Sequence, residues 1–264
     1  MINIQKYVRA QSLEEAYTLN QKKKNRILAG MLWTRMESGN VPVAIDLCDL
    51  GLDKIEENEE EFSIGAMVTL RQLQMHESFE NYCDGIVAKA VKDIIGVQFR
   101  NLATVGGSIW GRFGFSDVLT AFMALDTYVE LYKGGVVPLE QFARMQYDRD
   151  LLVRVIVKKK PGVFSYQAMR AQKTDFPILT CGVSRIDGVC KAVIGARPGK
   201  AVCIHDDRHL LDGEVTEKKA EAFAEYVAEQ VTTGSNMRGS AEYRTHLVKI
   251  LTGRGVVELG GVKA

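Results

Sequence analysis

Three features of the sequence predict an α+β fold built as two units. Helix and strand signals alternate over the first fifty residues, as in a small α/β layer. The run Lys158-Lys-Lys-Pro161 interrupts an apolar strand and marks a boundary. Beyond it, three strand-like segments are followed by two amphipathic helices, the pattern of an antiparallel sheet with helices on it. The expected organisation is therefore residues 1–160, in two α/β subdomains of about 1–55 and 56–160, and a C-terminal domain over 161–264 holding a three-stranded antiparallel sheet with helices. With 264 residues, 46% of them hydrophobic, the chain can bury two cores of this size.

The elements follow in order. Ser12-Leu-Glu-Glu15 is a capping box, opening a helix through Ala16, Tyr17 and Leu19 toward Lys22–Lys24, whose cations suit a helix C-terminus. Arg26 to Gly30 is a short apolar strand ending at glycine, and Val43 to Leu47 is a buried strand. The acidic run Glu56–Glu61, between Leu52–Ile55 and Phe62–Gly65, reads as a solvated hairpin turn and not a metal site. Thr69 starts a helix, a second covers Asp84 to Ile95, and Leu119 to Leu125 is helical. Tyr128–Tyr132 and Leu151–Val157 have strand character. In the second unit, Phe164–Met169, Thr180–Ile186 and Val189–Ala196 are the three strands, with Asp187-Gly188 as a hairpin turn. The last helices are Glu217–Val231 and Ala241–Leu251, the latter capped by Ser240.

The charge balance, 34 basic against 33 acidic residues, provides no field to recruit nucleic acid or an anionic membrane. The N-terminus carries no leader pattern and no apolar run approaches a membrane span, so a cytoplasmic protein is expected. Cysteines 48, 83, 181, 190 and 203 lie far apart without a C-x-x-C, which argues against a disulfide framework, a zinc site or an iron-sulfur cluster held by this chain.

His205-Asp-Asp-Arg-His209 follows loop-forming residues and reads as an exposed polar turn. His76 and His246 read as surface residues of helices. No nucleophile–base set can be nominated, so no catalytic residue and no metal ligand is assigned. The chain has neither a G-x-G-x-x-G after a strand nor a P-loop. What remains is Gly106-Gly107 between the hydroxyls of Thr104 and Ser108, a short way before Asp117. This segment reads either as a tight turn or as a backbone cradle for a phosphorylated cofactor, with Asp117 suited to accept hydrogen bonds from a ribose or sugar-like chain.

The whole order of features decides between these. The capped helix, the strand ending in Ala29-Gly30, Val43–Leu47, Phe62–Leu70, Gln98-Phe-Arg-Asn-Leu-Ala-Thr-Val-Gly-Gly-Ser108, Ser116-Asp117 and Arg238-Gly-Ser-Ala-Glu-Tyr-Arg244 resemble, over nearly the full length, the FAD-binding medium subunit of the molybdenum hydroxylases. That family includes xanthine dehydrogenase, aldehyde oxidoreductase and carbon monoxide dehydrogenase. The resemblance implies a two-subdomain α/β FAD-binding domain of the vanillyl-alcohol-oxidase/PCMH-like type, followed by a CO-dehydrogenase-flavoprotein-like C-terminal domain. It implies that a first loop, Leu28, Ala29, Gly30, Met31, Leu32, Trp33 and Thr34, and a second, Thr104, Gly106, Gly107 and Ser108, wrap the pyrophosphate and ribityl chain of FAD. It further implies that Phe99 shapes the second loop, that Asp117 bonds the ribityl or ribose region, and that Leu152 and Tyr166 border the isoalloxazine.

The partners implied are a molybdopterin-binding large subunit and a 2Fe-2S small subunit, with NAD as electron acceptor, in a xanthine dehydrogenase-like complex. Two departures stand out. The family's first loop usually reads Ala-Gly-Gly-Thr, where this chain has Ala29-Gly30-Met31-Leu32-Trp33. A family lysine near the flavin is replaced by Ala168, with Arg170 and Lys173 as possible substitutes. Two other readings share these residues: a scaffold subunit without flavin, motivated by Met31-Leu32, and a stand-alone flavin oxidase, which would need a positioned base that the sequence does not offer.

Overall fold

The computed structural model describes residues 1–260. β1 (Ile2–Arg9), α1 (Leu13–Asn20), β2 (Arg26–Leu28) and β3 (Gly39–Asp46) make the first layer, in which β1 and β2 both run parallel to a central β3. The capping box forms: Ser12 Oγ accepts the Glu15 N–H at 3.1 Å, and Glu15 Oε2 accepts the Gln11 N–H at 2.8 Å. Ala16 of α1 packs with Ile45 and Leu47 in one core. β1 is an element the sequence reading lacks. It is an edge strand with polar residues between Ile2, Ile4 and Val8, so it has no apolar run to announce it.

β4 (Ile55–Glu57) and β5 (Glu61–Gly65) form the expected hairpin, and Asn58 Oδ1 closes its acidic turn by accepting the N–H groups of Glu60 and Glu61 at 2.8 Å. Thr69 caps α2 (Leu70–Gln74). The helix expected over Asp84 to Ile95 is shorter in the structure: α3 (Glu77–Tyr82) precedes it and α4 covers only Ile86–Val91. Asp84, Gly85 and Ile95 all hold positive φ (53°, 68° and 51°), which breaks the helix at both ends.

Between α3 and α4, Glu80 Oε2 accepts the Ala88 N–H at 2.9 Å while its buried Oε1 has no partner. Burial pushes this carboxyl from its ordinary 4.5 up to about 7. A carboxyl raised in the folded state favours folding below its unfolded value and loses that contribution as pH rises through about 7. Glu80→Gln, which does not titrate, is therefore expected to be more stable than the parent at pH 8 by about 1–2 kcal/mol, after allowance for partial solvent screening. The gain should vanish toward pH 5, as read from denaturation midpoints across the range.

α5 (Val97–Arg100), α6 (Val105–Trp110), α7 (Asp117–Ala124), β6 (Thr127–Leu131), β7 (Gly135–Pro138), α8 (Leu139–Arg144) and β8 (Leu152–Lys158) follow. The strands complete a five-stranded sheet of order β4-β5-β8-β6-β7. The C-terminal sheet has four strands, not the three expected: β9 (Gly162–Arg170), β10 (Pro177–Ile186), β11 (Val189–Gly195) and β12 (Val202–His205), all antiparallel neighbours. β12 was hidden because it is short and runs into the polar His205–His209 turn, which Asp206 organises by accepting the N–H groups of Leu210 and Leu211.

α9 (Glu217–Gln230) and α10 (Ala241–Leu259) pack on this sheet through Phe223, Val227, Leu247 and Leu251 against Leu179, Cys181 and Val183. α10 runs on to Leu259, beyond the Leu251 expected. Burial of Val256 outweighs the low helix propensity of Gly253 and Gly255. Residues 180 and 182 of β10 alternate with these core positions and meet α7, where Thr180 and Thr120 share a buried hydrogen bond of 3.0 Å. Every residue of α7 is buried.

By packing, the chain falls into two units. The first comprises Met1–Leu73, Val97–Gly111 and Tyr128–Val157; the second comprises Gln74–Gly96, Arg112–Thr127 and the chain from Lys158 on. No helix among the described residues is long and apolar enough to cross a membrane.

Candidate functional site

The first loop leaves the sheet at the buried Leu28, the last residue of β2. Ala29 and Gly30 follow, half-buried. Gly30 lies so close to the backbone at 102–103 that a Cβ would overlap the Leu102 carbonyl, so only glycine fits. Met31 is held in the left-handed region at φ 55°, with its side chain packed against the cluster of Leu28, Val41 and Ala44. Leu32 is buried and Trp33 is 43% exposed. Thr34 opens a single 3-10 turn in which Arg35 donates to Met31 O and Met36 to Trp33 O. By contrast, the N–H groups of Gly30, Met31 and Leu32 donate to no backbone or side-chain group of the described residues. Successive unspent amides around a left-handed residue form a concavity that suits anionic oxygens.

The second segment is the first turn of a helix, α6, and not a loop. Thr104 caps it, its Oγ1 accepting the Gly107 N–H at 3.0 Å. Val105 and Gly106 donate to the carbonyls of Val68 and Ala66 at 2.8 and 2.9 Å, and Ser108 Oγ donates to Thr104 O. The amides of this segment are thus spent within the chain. Gly106 is buried against Ala66, whose carbonyl would stand 2.5 Å from an added Cβ. Gly107 is exposed, and its missing side chain leaves a bare backbone face at the helix start. Phe99 sits half-buried in α5 just ahead of it. Because Gly30 rests on Leu102, the unspent amides of the first loop and the approach to α6 are parts of one packed arrangement in the first unit.

In the second unit, Asp117 is the first residue of α7 and only 5% exposed. Its Oδ1 accepts hydrogen bonds from the Tyr166 hydroxyl and the Arg170 guanidinium, both on β9. Burial pushes the Asp117 carboxyl above the ordinary aspartate range, and Arg170 and Tyr166 oppose that rise. Oδ2 takes neither of these bonds, and with the residue's own N–H also bonding the carboxylate, a second lone pair on Oδ2 can still accept from an incoming hydroxyl. Tyr166 is buried, and the adjacent carboxylate and burial together push its phenol well up, so it stays a donor. Leu152, by contrast, is the buried first residue of β8 in the first unit. Ala168 lies in β9 between Tyr166 and Arg170, and Lys173 is exposed in the following turn.

The family described as the FAD binding domain in molybdopterin dehydrogenase matches residues 2–159. The chain belongs to that family. The CO dehydrogenase flavoprotein C-terminal domain matches residues 164–259. The chain is 26% identical to the nicotine 6-hydroxylase medium subunit of Paenarthrobacter nicotinovorans, with 97% of each chain covered. It is 26% identical to the xanthine dehydrogenase FAD-binding subunit of Escherichia coli O157:H7, over 74% of this chain and 73% of that protein. Among solved structures, a carbon monoxide dehydrogenase from Hydrogenophaga pseudoflava superposes with a TM-score of 0.85 at 21% identity over 98% of each chain, which shows the same fold.

As a molybdopterin dehydrogenase FAD-binding domain, this chain departs from the family's glycine pair at Met31, and the structure gives the reason a glycine suits that position: its φ is 55°. Met31→Gly is expected to raise FAD affinity several-fold by clearing the approach to the amides, while relief of about 1 kcal/mol of backbone strain favours the folded chain with or without flavin. Titration of flavin fluorescence checks it, and an unchanged or weaker affinity would count against the loop as the anion site. Sequence reasoning missed the carbonyls of Ala66 and Val68 that fix α6. The one available signal was the small Ala66, a partner fit for Gly106.

Proposed function

We propose that this chain is the FAD-carrying medium subunit of a heteromeric molybdenum hydroxylase of the xanthine dehydrogenase type, standing between 2Fe-2S clusters on a small subunit and NAD+ as acceptor. The observation that carries this reading is the first loop, where three unspent amides surround the left-handed Met31 beside the glycine contact with Leu102. That donor set fits a pyrophosphate, and the remaining acceptor capacity of the Asp117 carboxylate fits a polyol hydroxyl. When bound, FAD supplies the conversion between one-electron and two-electron transfer.

The chain's own residues bind and orient. Gly30, Met31 and Leu32 would receive the phosphate oxygens, and the bare face at Gly107 would let the cofactor backbone pass close. In the second unit, Asp117 would anchor the sugar-like chain beside buried Tyr166. None of these residues need exchange a proton with a substrate, in keeping with a subunit that relays electrons while the organic substrate reacts on the molybdenum subunit. The cytoplasm, which supplies NAD+, is the compartment this reading requires.

Purification of the chain with its associated subunits tests the proposal. The expected outcome is co-purification with a molybdopterin-bearing and a 2Fe-2S chain, stoichiometric FAD released on denaturation, and NADH formation on addition of substrate. A complex without flavin, and unable to take it up, would instead identify a scaffold subunit. Turnover of an organic substrate by the isolated chain would identify a stand-alone oxidase.

A further inference from the structure

Arg170 enters the sequence reading as a possible replacement for a family lysine, but the structure commits its charge elsewhere. It closes β9 with its side chain 9% exposed, Nη2 bonded to Asp117 Oδ1 and Nη1 to the Asp175 carbonyl at 2.8 Å. Tyr166 lies four residues earlier on the same face of the strand and donates to the same Oδ1. The residue between them on that face, Ala168, has no group that could compete for the carboxylate. The other titratable and charged groups around this cluster are Cys181 on β10, whose buried thiol is pushed up to about 12 and stays neutral, and Asp175, which is paired with Arg238 beyond Arg170.

We propose that Arg170 is a positioning residue that keeps the Asp117 carboxylate ionised and fixes its Oδ1, so that Oδ2 is presented as a rigid acceptor to a polyol hydroxyl of the bound cofactor. The inference rests on the flavin reading above. A carboxylate this deeply buried keeps its charge only while a cation and hydrogen-bond donors compensate for burial. Without the guanidinium, burial pushes the Asp117 carboxyl further up, and once protonated it is a poorer acceptor for the ligand. Arg170 thus makes cofactor affinity insensitive to pH near neutrality.

The test uses the full chain stripped of flavin, in wild-type, Arg170→Met and Arg170→Lys forms, titrated with FAD between about pH 6 and 8. Wild type is expected to bind with an affinity flat within about twofold, whereas Arg170→Met should bind about tenfold or more weakly at pH 6 and recover as pH rises. Arg170→Lys, which keeps the charge, should restore the flat profile. A uniform loss of affinity in Arg170→Met with no pH dependence would mean a merely structural role and overturn the inference.

A second readout needs no flavin: the 13C shift of the Asp117 carboxyl in the stripped chain should report a titration midpoint that rises on Arg170→Met. An unmoved midpoint overturns the inference. A midpoint that moves on Arg170→Met, found together with a wild-type chain that takes up no FAD, would refute the flavin reading while leaving the hold of Arg170 on Asp117 intact. Should Arg170→Met fail to fold, Arg170→Gln, which loses the charge but keeps hydrogen-bonding capacity, is read in the same two ways.

Discussion

Gly30→Ala is expected to cost the protein about 3 kcal/mol of stability and its flavin together. The added methyl would occupy the space of the Leu102 carbonyl, a backbone atom that no rotamer change can move aside. Either the first loop or the 102–103 segment must shift, and both belong to the proposed cofactor site. The loss should appear as a lower denaturation midpoint in urea, with flavin absorbance missing from the purified chain. A variant within about 0.5 kcal/mol of wild type would show that the close approach of the two segments does not hold in solution.

Gly107→Val should separate the two properties that Gly30→Ala loses together. Gly107 is exposed, and the nearest atom to an added Cβ is Thr104 Oγ1 at 3.1 Å, the far end of a small side chain. Pressure on that capping hydroxyl should cost about 1 kcal/mol, leaving far-UV circular dichroism essentially unchanged. The branched methyl groups would stand on the bare face at the start of α6, so FAD should no longer be retained. Retention of a full complement of flavin would sink the idea that the cofactor passes over this glycine. Gly106→Ala makes the contrast: its methyl would meet Ala66 at 2.5–2.7 Å inside the core, so its damage should fall on folding.

Local chemistry made most of the fold legible. Ser12 and Ser240, legible as caps, do cap the helices that follow them, because a hydroxyl accepting an N3 amide is a short-range signal; Ser116 and Thr216, not read as caps, do the same. The strands of the C-terminal sheet were legible where apolar runs were long, as in Thr180–Ile186, and not where they were short, as in Val202–His205. The site was legible only in outline. Gly106-Gly107 stands out in the sequence, yet its amides are engaged by Thr104, Ala66 and Val68, contacts that no spacing reveals. The amides left over belong to the first loop, where the sequence had pointed to a weakened cradle. Methionine gives no sign of a left-handed backbone, since nothing in its side chain prefers one. The hold of Arg170 on Asp117 spans 53 residues and is likewise invisible until β9 and α7 are brought together.

The interleaving of the second unit has a consequence for synthesis on the ribosome. Its helices α4 and α7 are made well before the strands they pack on, β9 to β11. While the chain grows past Lys160, the sheet-facing residues of α4 and α7, Ala124 of α7 against Gly182 of β10 among them, have no sheet to cover them. The nascent chain therefore carries a greasy face between its early and late halves until the antiparallel sheet emerges, and the carboxylate at the head of α7 meets Tyr166 and Arg170 only at that late stage.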